Sequence, residues 1–203
     1  MVPARRYNRP VSGVPASEHE LIRRARAGDE DAFAELVTMH AARVTGALRR
    51  FGLDPSEADD VAQDVFLRAW RGLARFQERA QFSTWLYRIA FNEAQRRLSR
   101  RGPVRAEPEQ GRDDPLGTLP ADPHLGPEAQ ALDHELERTL NKALDKLPAQ
   151  WRAAVVLRDI EGLSTREAAE IAGVREAAFK SRLRRGRMQL RALLEPYLTV
   201  EEG

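Results

Sequence analysis

GLSTREAAEIAGVREAAFKSRLRRGRMQLRAL, residues 162–193, reads as two helices joined by a tight turn, the second of them loaded with cation. Ser164 stands three residues before Glu167, the capping-box spacing in which each side chain satisfies an exposed backbone N–H at a helix start. Ala168, Ala169, Ile171 and Ala172 follow as a short apolar stripe, and Gly173 stops the helix where a left-handed residue is needed. Val174 is the apolar anchor of the turn. From Glu176 the helical period resumes with Phe179, Leu183 and Leu190 on one face, while Lys180, Arg182, Arg184, Arg185, Arg187 and Arg191 project around the remainder. This is a helix-turn-helix pattern, whose second helix can enter the major groove of duplex DNA.

A run of charge by itself usually marks a solvated helix face, and arginine is a good helix former. Two features favour DNA over that reading. One is the short capped helix with its glycine turn. The other is the near absence of acid after Glu176, where a structural helix would place Glu four residues before its Arg.

Composition narrows the remaining possibilities. A chain of 203 residues with 42% apolar residues suits one large domain or two small ones. The net charge is only +2, so the basic helices must be balanced by acid elsewhere. Cysteine is absent, which excludes disulfides and thiolate zinc sites, and four scattered histidines offer no metal spacing. No apolar run approaches the roughly 20 residues of a membrane span, and no secretory segment follows the basic start. These features predict a soluble intracellular, cytoplasmic protein that is not inserted in a membrane; no paired-carboxylate, nucleophile–base or phosphate-loop constellation is present, so no catalytic residues, metal or other cofactor are expected.

Residues 1–16 hold three prolines and three arginines without any period, predicting a disordered basic tail. Ser17 with Glu20 opens a short helix carrying Leu21, Ile22 and Ala25, stopped at Gly28. Asp29 caps a longer helix in which Phe33, Leu36, Val37, His40, Val44, Leu48 and Phe51 recur at helical steps; His40 reads as a core or edge histidine. Asp54, Pro55 and Glu57 open a third helix, about residues 56–75, with Ala58, Val61, Ala62, Val65, Phe66, Ala69, Trp70 and Leu73 on one side. Its other face shows Asp59, Asp60, Gln63, Asp64, Arg68 and Arg71. Asp60 and Asp64 stand one turn apart, but no matching acid or histidine pair appears elsewhere, so a docking or solvated face is expected rather than a metal site.

After a loop at Gln77–Gln81, a fourth helix places Trp85, Leu86, Ile89, Ala90 and Leu98 on an apolar stripe and Tyr87, Arg88, Asn92, Arg96 and Arg97 on another face. Arginine binds phosphate, asparagine can hydrogen-bond a base edge and aromatic rings stack on unpaired bases, so that face suits nucleic acid. From Gly102 to Pro127 periodicity vanishes. Half of the twelve prolines fall there, with acid in excess, predicting an extended acidic linker. A helix resumes near Glu128 and runs to Pro148, and another, from Ala149 to Glu161, is expected to bury Trp151, Val155 and Ile160. The expected fold is all-α: two small helical domains, at 17–101 and 128–195, joined by the linker 102–127 and followed by a tail at 196–203.

Three runs, DDVAQDVFLRAW (59–70), FSTWLYRIAFNEA (82–94) and LDKLPAQWRAAVVLRDIEGLSTREAAEIAGV followed by KSRLRRGR (144–187), together resemble bacterial sigma factors of the extracytoplasmic-function (ECF) group within the sigma-70 family. The resemblance implies a sigma-2 domain that binds core RNA polymerase and the melted minus-10 element, and a sigma-4 helix-turn-helix domain that binds the minus-35 element. It implies a non-enzymatic role in transcription initiation, in a stress or envelope response. It assigns Asp60, Gln63, Asp64 and Arg68 to the polymerase β′ clamp, with the β flap as a second contact. Gln77, Glu78, Arg79, Ala80 and Gln81, with Arg88, Asn92 and Arg96, fall to the minus-10 element, where the loop would capture a flipped base. Arg158, Ser164, Lys180, Ser181, Arg184 and Arg185 fall to the minus-35 element. The linker is similar to the segment that threads polymerase channels, and an anti-sigma factor is a possible further partner.

This chain departs from the family pattern in three places. The loop reads FQERAQF, without the family's frequent glycine, which leaves the identity of the flipped base open. Ala178 cannot offer a hydroxyl to phosphate, and Arg175 is a poor N-cap. Gly186 stands where alanine is usual, at a cost to the helix of roughly 0.8–1 kcal/mol. The competing reading is a dimeric helix-turn-helix regulator acting without polymerase, which uses residues 162–193 but leaves the fourth helix and the linker without a role.

Overall fold

The computed structural model describes residues 17–78, 80–100 and 127–198, with side chains of the last stretch from residue 135 onward. The expected basic tail, residues 101–126 of the linker region, Arg79 and residues 199–203 lie outside the described residues. Among the described residues every regular element is helical: α1 (Glu18–Arg26), α2 (Glu30–Arg50), α3 (Pro55–Gly72), α4 (Phe82–Arg100), α5 (Pro127–Asp145), α6 (Ala149–Val155), α7 (Thr165–Ile171) and α8 (Glu176–Leu198).

The helix starts follow from local hydrogen bonds that the sequence spells out. Ser17 Oγ, Asp29 Oδ1 and Asp54 Oδ1 accept from the backbone N–H of Glu20, Ala32 and Glu57, at 3.3, 3.1 and 2.9 Å. At α7 both halves of the capping box form: Ser164 Oγ accepts from the Glu167 N–H, and Glu167 Oε2 accepts from the Ser164 N–H. Gly173, at φ +65°, makes the turn into α8.

Helices α1–α4 pack around Leu21, Leu36, Leu48, Val65, Leu73 and Leu86, all almost fully buried. The second unit is organised on α8, whose Phe179 is completely buried against α6 and α7. His40 sits at the edge of the first core, its Nε2 2.7 Å from Glu18 Oε1 and its ring edge-on to Phe82.

Several expectations are corrected. Tyr87, read as part of an outward nucleic-acid face, is buried at 3% exposure, because the second helical unit covers this side of α4. Its hydroxyl meets Glu161 there, and burial pushes the phenol above its ordinary range. The helix expected over 149–161 is α-helical only to Val155 and continues through Ile160 as a π-helical turn. Trp151, on α6 before that turn, is half-buried rather than buried; past Val155 the wider turn shifts the facing of the chain, so Val156 and Leu157 enter the core and Ile160 ends up half-buried. Arg97, read as outward-facing, is half-buried, its Nε 3.3 Å from Glu57 Oε1 on α3.

Candidate nucleic-acid interface

The outward face of α8 is set by what its inner face must bury. Phe179, Leu183, Gly186 and Leu190 fall on one seam, which at 3.6 residues per turn sends Ser181, Arg184 and Arg185 to the opposite side with Lys180 on its flank. All four are exposed, and no described carboxylate pairs with the three cations. Arg187, on the same helix, is different. It makes a two-pronged pair with Asp159, Nη2 at 2.6 Å and Nε at 2.9 Å, which ties α8 to the π-helical turn. The pairing identifies Arg187 as structural. Arg158, half-buried, stands beside this contact on the same turn. The Ser164 hydroxyl is already engaged, donating to Glu167 Oε2 at 2.6 Å, and that bond holds the Glu167 carboxyl below its ordinary pKa.

A second polar region lies on the first unit. The loop before α4 hangs between Phe76 and Phe82, whose rings are 5.6 Å apart and which both pack on Trp85. This aromatic cluster fixes both ends of the loop and leaves Gln77, Glu78, Ala80 and Gln81 exposed. Glu78 sits at φ +54°, a left-handed conformation that costs a non-glycine residue about 1–2 kcal/mol. Its carboxylate is held by α1, 2.9 Å from Arg26 Nη1 and 3.3 Å from His19 Nδ1. Strain held in place by ion pairs is a feature of binding loops. Asn92 is exposed on α4. Arg88 and Arg96 are exposed but partnered: Arg88 Nη2 lies 3.2 Å from Glu170 Oε2, and Arg96 Nη1 2.8 Å from Glu93 Oε1.

The same Glu93 oxygen also takes Arg68 Nε at 2.9 Å, so one carboxylate links the α3 and α4 faces. Asp60, Gln63 and Asp64 are exposed along α3. Beside them lies a feature that sequence reading missed. Phe33, Val37 and Ala41 of α2 face Ala62, Phe66, Leu67 and Trp70 of α3 across an apolar groove of about 630 Å³, rimmed by Glu30, Asp59 and Gln63. The Phe33 and Trp70 rings are 4.9 Å apart, and Leu67 is 53% exposed. The available signal was Leu67 itself, an apolar residue lying off the buried stripe of α3. Among the described residues no cluster of His, Asp and Glu could hold a metal, and no helix is long and apolar enough to cross a membrane.

Comparison with known proteins places these surfaces in context. Residues 36–103 match Sigma-70 region 2, and residues 137–190 match Sigma-70, region 4. The chain is 34% identical over 185 residues to the RNA polymerase sigma-H factor of Pseudomonas aeruginosa, covering 89% of this chain and 95% of that protein. It is likewise 34% identical over 177 residues to the ECF RNA polymerase sigma factor SigW of Bacillus subtilis, covering 85% and 94%. Among solved structures, CnrH in complex with the cytosolic domain of CnrY resembles it with a TM-score of 0.59 and 29% identity, over 89% of this chain and 99% of that one.

Proposed function

Because this chain belongs to the ECF sigma factors of the sigma-70 family, non-catalytic subunits that direct transcription initiation with RNA polymerase, we propose that its polar faces divide the promoter between them. The exposed row Lys180, Ser181, Arg184 and Arg185 takes the minus-35 element, with Arg158 and Ser164 at its margin. The loop at 77–81, with Arg88, Asn92 and Arg96, takes the melted minus-10 element. The α2/α3 groove and Asp60, Gln63, Asp64 and Arg68 take the polymerase clamp, and the second unit takes the flap. Residues 17–101 and 128–195 are the two domains, 102–127 the connection between them.

The observation that carries the minus-35 assignment is the uncompensated cation opposite the seam on which Phe179 and Leu183 are buried. A helix that spends its inner face on packing and leaves its outer face cationic has the charge distribution of a major-groove reader. Arg88 and Arg96 support the minus-10 assignment less directly, since each already has a carboxylate partner that DNA would have to displace. An anti-sigma partner is supported by the similarity to CnrH, whose solved structure contains CnrY.

In vitro transcription with core polymerase on a promoter library tests the whole reading. Arg184→Ala and Lys180→Ala should each weaken minus-35 binding by the second unit about tenfold, in a sequence-dependent way if the side chain reads a base edge. Uniform weakening across sequences with a flatter salt dependence would mark phosphate contacts instead. Binding unchanged by both substitutions would remove α8 from the promoter.

Asn92→Ala separates melting from docking. Asn92 makes no contact that the bundle needs, and on this reading it meets DNA only after a base has left the stack. The variant should lower permanganate reactivity of the minus-10 thymines while core binding stays intact. Parallel loss of both signals would give Asn92 a docking or folding role.

A further inference from the structure

Helix α1 precedes the residues that match Sigma-70 region 2, 36–103, yet it is firmly built into that unit. Its Leu21, Ile22 and Ala25 are buried in the core. Both of its ends are tied down, the first by Glu18 Oε1 at 2.7 Å from His40 Nε2 on α2, the last by Arg24 Nη2 at 2.7 Å from Asp29 Oδ2 at the α2 cap. Arg23 pairs with Glu20 on α1 itself. That leaves His19 and Arg26, about two turns apart on one face of the helix. Both are directed at Glu78, in the loop before α4.

Position 78 is where this loop takes a left-handed backbone, φ +54°. Glycine would adopt that conformation without strain, and the chain places a glutamate there instead. The carboxylate accounts for the choice. One oxygen accepts from Arg26 Nη1 at 2.9 Å and the other stands 3.3 Å from His19 Nδ1, so each is taken by α1. A bare carboxylate in this place would repel a nucleic-acid strand. Paired, it becomes a strut between the loop and a fixed helix.

An exposed ion pair adds little to the stability of a whole domain. Here the demand on it is smaller. Phe76 and Phe82, both packed on Trp85, already fix the two ends of the loop, and only the course of residues 77–81 between them is left to be set. One strut at residue 78 selects among the few courses open to so short a stretch. A loop held in its course before the ligand arrives binds without the cost of ordering it then.

We propose that Arg26 and His19 of α1, acting through Glu78, are positioning residues for base capture, which makes α1 part of the promoter site and leaves contact with the base to the other side chains of the loop. The proposal rests on the minus-10 reading above for the identity of the ligand. The strut itself is tested without DNA.

The chain contains no cysteine, so Ala80→Cys, at an exposed loop position, gives a single site for a nitroxide label in the full chain. The free protein should show one restricted spectrum. Arg26→Ala and, separately, Glu78→Gly should add a mobile component, and Arg26→Lys, which keeps a cation in reach, should remove most of it. Identical spectra for the parent and both loss variants would overturn the strut.

The second arm uses unlabelled holoenzyme and the non-template minus-10 strand of a promoter that the parent opens, with each base replaced in turn by an abasic site. The parent should lose affinity most where the captured base is missing. Arg26→Ala and Glu78→Gly should each shrink that penalty about fivefold, the upper end for an exposed pair, and the double variant should lose no more than either single one. A variant that is merely less stable would weaken every strand alike and keep the penalty. Tighter binding by Glu78→Gly would show that the carboxylate only repels DNA, and the positioning role would fall. Gln77→Ala and Gln81→Ala separate the two readings. If they reduce the penalty while the α1 variants do not, the strut has no part in capture and the minus-10 assignment stands; if neither they nor the α1 variants change it, the minus-10 assignment of the loop fails and takes the positioning role with it.

Discussion

Gly186→Ala should destabilise the second helical unit, lowering its melting temperature by about 8–16 °C, although alanine is the better helix former. Propensity alone favours the substitution by roughly 0.8–1 kcal/mol. Against it stands the crossing of α8 over α6. An alanine β-carbon at 186 would lie 2.8 Å from Val155 Cγ2 and 2.9 Å from the carbonyl oxygen of Trp151. A flexible side-chain tip could turn aside, but a helix carbonyl cannot. Relief therefore means lifting α8 away from α6 in the seam that buries Phe179 and Leu183. Overpacking costs about 1–3 kcal/mol, and with backbone as the obstacle the upper end applies. The net loss is about 2 kcal/mol, which becomes the stated shift at about 4–8 °C per kcal/mol for a unit of this size. Thermal unfolding followed by helical circular dichroism checks it. A melting temperature equal to or above that of the parent would show that the crossing has room to spare. Gly186→Val, with two more methyls in the same gap, should lose more.

Gly186 also shows where sequence reading stops. As a sequence feature it looked like a weakness in the recognition helix, because propensity is local and the reason for the glycine sits on another helix. The caps were legible for the opposite reason: Ser17, Asp29, Asp54 and the Ser164–Glu167 box satisfy donors within three residues of themselves. The all-α class and the helix-turn-helix followed from period and caps alone. Tyr87 was misread because its partner, Glu161, lies 74 positions away and on the other unit. Arg187 was read with the free cations of α8 although Asp159 holds it, since nothing in the spacing of 28 residues announces a pair. The π-helical turn at Val156–Ile160 left no signal in a pattern that continues apolar.

The apolar groove was the largest omission, and it carries the strongest prediction about binding. Leu67→Asp should lower affinity for core polymerase about 100-fold. In the free chain Leu67 is more than half exposed, so a carboxylate there keeps its water and the fold should lose no more than about 0.5 kcal/mol. In a complex that fills the groove, the same carboxylate would be stripped of water among Phe66, Trp70 and Phe33. Central apolar anchors in such pockets typically account for about 2–4 kcal/mol of binding, which sets the expected factor. Asp64→Arg offers the contrast. Asp64 lies farther round α3 than the groove, on the exposed polar face, so reversing its charge should act mainly on the association rate and should fade as salt rises. Core-binding titrations of the two variants at low and high salt therefore separate a desolvated anchor from a steering charge. The Leu67 loss should persist at high salt and the Asp64 loss should shrink. If Leu67→Asp bound core polymerase as tightly as the parent at both salt concentrations, the groove would lie outside the polymerase interface, and docking would fall to the polar face of α3 alone.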